Sequence, residues 1–296
     1  MRLLYLDDER AFAQRLAAAA RIEASPIRRH RFPDGELKLT LPPRLPRQVA
    51  ILRSLHQPNE KLIELWLAAR TARRLGAATV TLVAPYLAYM RQDRAFAPGE
   101  AISQQHVGAL LAAMFDRVIT VDPHLHRISS LAEVLPKTPT VTLSAAPAIG
   151  RFLRRRATGA LLVGPDEESG QWVRSVADAA GLEWTVARKV RRGDRRVAVV
   201  MPDVNVRDRR VVLVDDMIST GRTLAAAVRM LAKAGAVRVD VAATHALFSE
   251  DAAGALRAAG VGSIWTTDTV RHPTNAVRLA GLLADALRAP VDAGQP

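Results

Sequence analysis

The chain has 296 residues, 49% of them hydrophobic, and no cysteine. That is apolar material for one large core or two ordinary ones, and it excludes disulfides, thiolate metal sites and cysteine nucleophiles. The net charge of +13 fits an anionic partner, either nucleic acid or a phosphorylated small molecule. Only five of the 42 basic residues are lysine, so the excess reads as an arginine-rich composition, and charge alone leaves the two partners undecided.

The opening MRLLYLDDER reaches its acids too early for a signal-peptide core. Arg or Asp interrupts every long helical pattern before it could cross a bilayer, so a soluble, cytoplasmic protein is expected. From there, β-branched runs alternate with amphipathic helical patterns. RLLYL predicts a strand and ERAFAQRLAAAARI a helix. PIRRHRF and ELKLTL predict two strands around the turn PDG. QVAILRSL is strand-like, and PNEKLIELWLAARTARRLGA is a long helix that Asn59 can cap and Gly76 can stop. TVTLVAPY, the helix AISQQHVGALLAAMF and RVITVDPH complete the first half.

The second half repeats the scheme. TVTLSA precedes the helix APAIGRFLRRR, and ALLVGPD precedes SGQWVRSVADAAG. EWTVARKV and RRVAVVMPD are strand-like around an Arg-rich loop. VVLVDD leads to TLAAAVRMLAKAG, VRVDVAATHAL to SEDAAGALRAAG, and SIWTTDTV to a closing helix NAVRLAGLLADALR. Such alternation calls for mostly parallel sheets covered by helices, with ligands beyond the carboxyl ends of the strands. The strands suffice for two sheets, joined near the Pro-containing LPKTPT, so the expected domains are 1–140 and 141–296, with the last helix free to pack on the first.

The most informative stretch is VVLVDDMISTGRTL, 211–224. Small residues at a helix start present free N–H groups and the positive dipole end, which makes an anion site, and Ser219, Thr220 and Thr223 add hydroxyls. Asp215 and Asp216 would repel a phosphate but suit a neighbouring diol or a magnesium ion. Phosphate beside vicinal diol describes a ribose phosphate. The plainer reading, two carboxylates that merely end a strand, does not account for the hydroxyl-rich loop. A Walker B strand fails because no G-x-x-x-x-G-K-[ST] occurs.

The stretch resembles the phosphoribosyl diphosphate motif of the type I phosphoribosyltransferase fold. RFPDGELKL, the segment LHQPNEKLIELWLAARTARRLGA, APYLAYMRQDRAFAPGEAIS, VDPH, VGPD, ARKVRR and TTDTV then fall in the order of the ribose-phosphate diphosphokinase (phosphoribosyl diphosphate synthetase) family. The resemblance implies two tandem phosphoribosyltransferase-like α/β domains. It implies transfer of the β,γ-diphosphoryl group of ATP to the anomeric hydroxyl of ribose 5-phosphate, releasing AMP. It places Lys189 and Arg191 on a flexible catalytic loop, with Arg191 also at the sugar phosphate. Phe32, Asp34, Gly35 and Glu36 become an adenine loop shared between subunits, and Arg91, Gln92, Asp93 and His124 further ATP contacts. Asp215, Asp216, Ser219, Thr220, Gly221, Arg222 and Thr223 would hold ribose 5-phosphate, and His124 and Asp166 would associate with Mg2+. A homo-oligomer, dimer or hexamer, follows from the shared loop. His124 and His126 alone do not make a zinc site, since no third and fourth ligands present themselves.

The chain departs from the family where STGRT replaces Asp-Thr-[Gly/Ala]-Gly-Thr, where EESGQWVR lacks adjacent glycines, and where DPHLHRISSL lacks an aromatic pair. These departures keep three alternatives in view: a non-catalytic regulatory homologue, a nucleic-acid-binding regulator, and a phosphoribosyltransferase that consumes phosphoribosyl diphosphate. Aromatics at 4% offer little stacking platform for nucleic acid.

Overall fold

The computed structural model describes residues 1–125, 130–166, 169–191, 197–200, 204–249 and 251–290; the side chains of 188–191 and 197–200 lie outside that description. The chain divides into two compact α/β units, one formed by Met1–Leu143 with the C-terminal segment from Ala280, the other by Ser144–Leu279.

The first unit comprises β1 (Arg2–Leu6), α1 (Arg10–Ala20), β2 (Glu23–Arg31), β3 (Leu37–Thr40), β4 (Gln48–Leu52), α2 (Pro58–Arg74), β5 (Thr79–Ala84), α3 (Ser103–Met114), β6 (Arg117–Val121) and β7 (Thr140–Leu143). Its sheet runs β3-β2-β1-β4-β5-β6-β7, parallel except for the β2–β3 hairpin. Leu4, Leu6, Ile51, Leu82 and Val118 of the strands pack on Leu65, Ala68 and Ala72 of α2 and Leu111 and Met114 of α3. Each of the Leu, Ile, Val and Met side chains, when fully buried, contributes about 1.5–3 kcal/mol.

The second unit comprises α4 (Ala146–Arg156), β8 (Leu161–Gly164), α5 (Gly170–Ala180), β9 (Trp184–Val186), β10 (Arg188–Arg191), β11 (Val197–Val200), β12 (Arg210–Ile218), α6 (Arg222–Lys233), β13 (Arg238–Ala246), α7 (Ala252–Ala258), β14 (Ile264–Thr267) and β15 (Asn275–Val277). Its six-stranded sheet runs β15-β14-β13-β12-β8-β9 and is parallel throughout. Strands β10 and β11 form a separate antiparallel ribbon. Leu213, Val241, Val228 and Leu231 anchor the core. The last helix, α8 (Ala280–Arg288), returns to the first unit and packs on α1. Arg117 holds it there by donating to the carbonyls of Ala286 and Ala289, both at 3.1 Å, which places a cation at the helix's negative end.

Both sheets therefore share one order. β2-β1-β4-β5-β6-β7 of the first unit matches β9-β8-β12-β13-β14-β15 of the second. In each, the chain winds outward in both directions from a central pair, β1–β4 or β8–β12, so the topological switch point lies between those two strands.

Several local expectations differ from the structure. The segment 140–143, read as opening the second half, pairs with β6 and closes the first sheet, so the first unit extends past 140. Asn59 does not cap α2. Gln57 takes the cap position with φ +50°, Pro58 follows, and Asn59 instead accepts a hydrogen bond from the Tyr89 hydroxyl. The closing helix begins at Ala280 rather than 275, because Asn275 donates to the carbonyls of Thr267 and Val270 and draws 275–277 into the sheet beside β14.

Candidate active site

At the switch point of the second unit, β8 ends at Gly164 while its neighbour β12 runs on to Ile218, so Asp166 follows the end of β8 and Asp215 and Asp216 lie where β12 passes beyond it. Asp215 is partly buried and accepts the Asp216 N–H at 3.0 Å. Its withdrawal from water, with the Asp216 carboxylate beside it and Asp166 nearby, pushes its carboxyl well above the ordinary range. Asp166 accepts the Ser169 N–H at 3.2 Å, and the Ser169 hydroxyl donates to the Asp166 carbonyl at 2.6 Å, which ties it to the start of α5.

After Ile218 the chain bends through Ser219 and Thr220 and enters α6 at Arg222. Gly221 takes φ +67°, and a β-carbon on it would stand 3.2 Å from the Ala252 carbonyl, so a side chain there meets both backbone strain and a tight neighbour. Thr220, Arg222 and Thr223 are exposed, and Ser219 is partly so. Arg222 lies in the first turn of α6, where a cation opposes the helix dipole unless an anion arrives. The structure thus brings the carboxylates and the hydroxyl-rich loop to one strand end.

In the first unit, Arg91, Gln92 and Asp93 lie in the loop between β5 and α3. Gln104 of α3, almost fully buried, donates its side-chain amide to the Met90 carbonyl at 3.0 Å and its N–H to the Gln92 carbonyl at 3.2 Å. Gln92 donates in turn to the Arg94 carbonyl at 3.1 Å. Tyr89, at φ +66°, donates to Asn59 at the start of α2. His124 is partly buried and follows Asp122, whose φ is +38°. Non-glycine residues in that region are strained, and such strain gathers at functional loops.

The hairpin 32–36 is closed by Phe32 N–H to the Glu36 carbonyl and Gly35 N–H to the Phe32 carbonyl, both at 2.9 Å. Asp34 accepts the Glu36 N–H at 3.1 Å, and Gly35 takes φ +94°. Phe32 is exposed and meets His30 edge-on at 4.8 Å. Lys189 and Arg191 lie on β10, opposite Val199 and Val197 of β11. Their side chains are outside the described residues, as are residues 192–196 and His126.

Among the described residues, no group of three or more His, Asp or Glu side chains surrounds a metal-sized position. His124 and Asp166 belong to different units. The carboxylates of the second unit nevertheless fit a hard cation. They are oxygen donors whose mutual repulsion a divalent ion would relieve, and magnesium completes its shell from water and phosphate.

Sequence reasoning missed the positioning partners Gln104 and Tyr89. It also missed a buried ion cluster at the switch point of the first unit. There Arg53 Nη1 donates to Asp8 at 2.7 Å, and Nη2 lies 2.5 Å from Glu64, itself fully buried. Lys61 donates to the Ser54 carbonyl at 2.7 Å, and Glu9 accepts the Ser54 N–H at 2.7 Å. One signal was present: Lys61 and Glu64 fall on the same face of α2 as Leu65, Ala68 and Ala72, where a surface charge has no place.

Comparison with known proteins spans both units. A model for the N-terminal domain of ribose phosphate pyrophosphokinase matches residues 1–114, and a phosphoribosyl transferase domain model matches 149–258. The ribose-phosphate pyrophosphokinase of Methanopyrus kandleri is 38% identical over 93% of this chain and 94% of its own. Ribose-phosphate pyrophosphokinase 2 of Archaeoglobus fulgidus is 33% identical over 96% of this chain and 99% of its own. The crystal structure of phosphoribosylpyrophosphate synthetase from Mycobacterium smegmatis superposes with a TM-score of 0.83 at 26% identity, covering 97% of each chain.

Proposed function

Because the chain belongs to the ribose-phosphate pyrophosphokinase family, we propose that it transfers the diphosphoryl group of ATP to ribose 5-phosphate, forming phosphoribosyl diphosphate and AMP for nucleotide biosynthesis. The observation that carries the reading is the joining of Asp166, Asp215 and Asp216 to the Ser219–Thr223 loop at one switch point. Family membership extends it to the whole chain.

In this reading the sugar phosphate docks on the N–H groups at the start of α6, beside the Ser219, Thr220 and Thr223 hydroxyls and the Arg222 guanidinium. Asp215 and Asp216 accept hydrogen bonds from the ribose hydroxyls and so orient the anomeric oxygen. That oxygen attacks the β-phosphorus as its proton is released to water, the bond from the β-phosphorus to the oxygen bridging it to the α-phosphorus breaks, and AMP leaves with the bridging oxygen. Arg91, Gln92 and Asp93 hold ATP from a loop braced by Gln104 and Tyr89. Phe32, Asp34, Gly35 and Glu36 contact the adenine, and the exposed Phe32 supplies the flat face. Lys189 and Arg191 meet the charge that develops on the transferring group, where fixed cations act most strongly.

Bound Mg2+ would take its ligands mainly from ATP oxygens and water, with His124 serving in the first unit and Asp166 and the Asp215–Asp216 pair in the second, and would supply charge neutralisation. The adenine loop is shared between copies, so the working form is a homo-oligomer. Its substrates are soluble phosphates, which suits work in the cytoplasm; among the described residues no helix is long and apolar enough to cross a membrane. Incubating the protein with ATP, Mg2+ and ribose 5-phosphate tests the reading. AMP accumulates in step with phosphoribosyl diphosphate and stops when ribose 5-phosphate is omitted. Diphosphate released only when a nucleobase is added would mark a phosphoribosyltransferase instead.

A further inference from the structure

The loop after β13 touches the phosphate loop directly. The Ser249 N–H donates to the Ser219 carbonyl at 3.1 Å, and the Ala252 N–H donates back to the Ser249 carbonyl at 3.1 Å. Ala252 and Leu256 of α7 are the residues that a β-carbon on Gly221 would meet first. The floor of the 219–221 bend therefore includes Ser249, Ala252 and Leu256, and Ser249 follows directly on Phe248.

Phe248 is held from both sides. One side packs on the core of the second unit. Against its ring lies the imidazole of His272, centroid to centroid at 4.2 Å and tilted by only 7°. His272 itself is tightly placed. Its N–H donates to Asn275 Oδ1 at 2.9 Å, and its Nδ1 accepts the Thr274 N–H at 3.3 Å, which leaves the ring proton on Nε2. The Thr274 hydroxyl lies 2.8 Å from Nδ1 and 2.9 Å from the Thr266 hydroxyl, which in turn accepts from Asn275 Nδ2 at 3.0 Å. The hydroxyl protons can all point one way, from Asn275 through Thr266 and Thr274 to the imidazole. Asn275 also donates to two carbonyls of the β14–β15 connection, so the imidazole is fixed to the sheet.

We propose that His272 is a positioning residue for the sugar phosphate. Its ring, clamped by Thr274 and Asn275, fixes the depth of Phe248, and through Ser249 it sets the Ser219–Gly221 bend. The proposal rests on the reading that this bend holds ribose 5-phosphate, and adds His272 and Phe248, both distant from it in sequence, which act through the backbone rather than on the substrate. A ring that merely filled space would affect folding, not one substrate's affinity.

Steady-state kinetics on the full chain separate these cases. His272→Ala and Phe248→Leu raise KM for ribose 5-phosphate about tenfold, leave KM for ATP within about twofold, and change kcat little, as expected when one cradle shifts by a fraction of an ångström. His272→Phe keeps the flat face against Phe248 and stays within about twofold of the parent, which also covers the case in which the alanine variant folds poorly. Unchanged KM for ribose 5-phosphate in His272→Ala, equal rises in both KM values, or a His272→Phe variant as impaired as His272→Ala would overturn the proposal. AMP formation by the parent protein tests the enzyme reading separately. Were it absent, calorimetric titration of ribose 5-phosphate into the same variants decides the inference: loss of affinity in His272→Ala with retention in His272→Phe supports it, and equal affinities or no binding to the parent refutes it.

Discussion

Arg53 and Asp8 meet at 2.7 Å beyond the carboxyl ends of the neighbouring strands β4 and β1, with the buried Glu64 carboxylate on the other side of the guanidinium. That is the switch point of the first sheet, and its counterpart in the second sheet holds Asp166, Asp215 and Asp216. The two units thus treat one position in opposite ways. In the first, the carboxylates are neutralised by the chain's own arginine. In the second, carboxylates lie beside carboxylates, and burial together with their mutual repulsion pushes the Asp215 carboxyl up. One topology therefore yields a site filled by an arginine and one rich in carboxylates.

The filled site is structural, and removing its cation shows it. Arg53 is 1% exposed, so Arg53→Met leaves Glu64 and Asp8 short of a partner, although Arg29 still reaches Glu64. The expected loss is about 3 kcal/mol, since an uncompensated buried charge costs more than the pair gains. Adding Glu64→Leu recovers most of it. Urea unfolding of the parent, single and double variants measures both steps, and a double variant no better than the single would contradict the assignment.

Glu9 gives this cluster a pH dependence. Burial raises its carboxyl from 4.5 to about 7, despite Arg53, the Ser54 N–H and Lys61. Native Glu9 keeps its proton over a range in which the unfolded chain has released it, so its contribution is full below pH 4.5 and lost as pH rises through about 7. Lys61 shifts the other way, from 10.5 to about 8, so its contribution is lost as pH falls through about 8. Glu9→Gln keeps an acceptor for Ser54 and removes the first decline. Urea midpoints at about pH 5 and about pH 7 fall less between the two values in Glu9→Gln than in the parent; equal declines would place the titration elsewhere.

The carboxylate-rich site is expected to trade stability for function. Asp215→Asn removes a carboxylate that is disfavoured in the folded state, and the variant unfolds at higher temperature, by about 1 kcal/mol of added stability. The same change lowers kcat/KM for ribose 5-phosphate by about a hundredfold, with KM for ATP near that of the parent. Thermal melting and kinetics on one preparation measure the two effects. A variant both less stable and fully active would show Asp215 to be an ordinary strand end.

Lys189→Ala isolates the transferring group. Loss of a cation used chiefly in the transition state lowers kcat at least about a hundredfold and leaves both KM values within a few-fold. Single-turnover rates with saturating substrates measure it directly, and a rate near that of the parent removes Lys189 from the chemistry.

Much of this was legible in local pattern. Alternation of β-branched runs with helical spacing announced the α/β class, PDG announced the β2–β3 hairpin, and VVLV announced the strand that carries Asp215 and Asp216. What stayed hidden depended on partners distant in sequence. β7 joins the first sheet through β6, a pairing no local pattern specifies. Residues 275–277 look helical by composition, and become a strand because Asn275 finds carbonyls at Thr267 and Val270. Asn59 has the chemistry of a cap, yet the Tyr89 hydroxyl claims it. The Arg53–Glu64 pair joins β4's end to α2 across the core, and charges so placed are visible only as exceptions on an apolar face.

Diphosphoryl transfer itself is tested most directly with ATP labelled at the γ-phosphorus, in the presence of Mg2+ and ribose 5-phosphate. The account predicts that the label moves into phosphoribosyl diphosphate while AMP appears in equal amount. Label recovered as inorganic phosphate, or ADP formed in place of AMP, would contradict it.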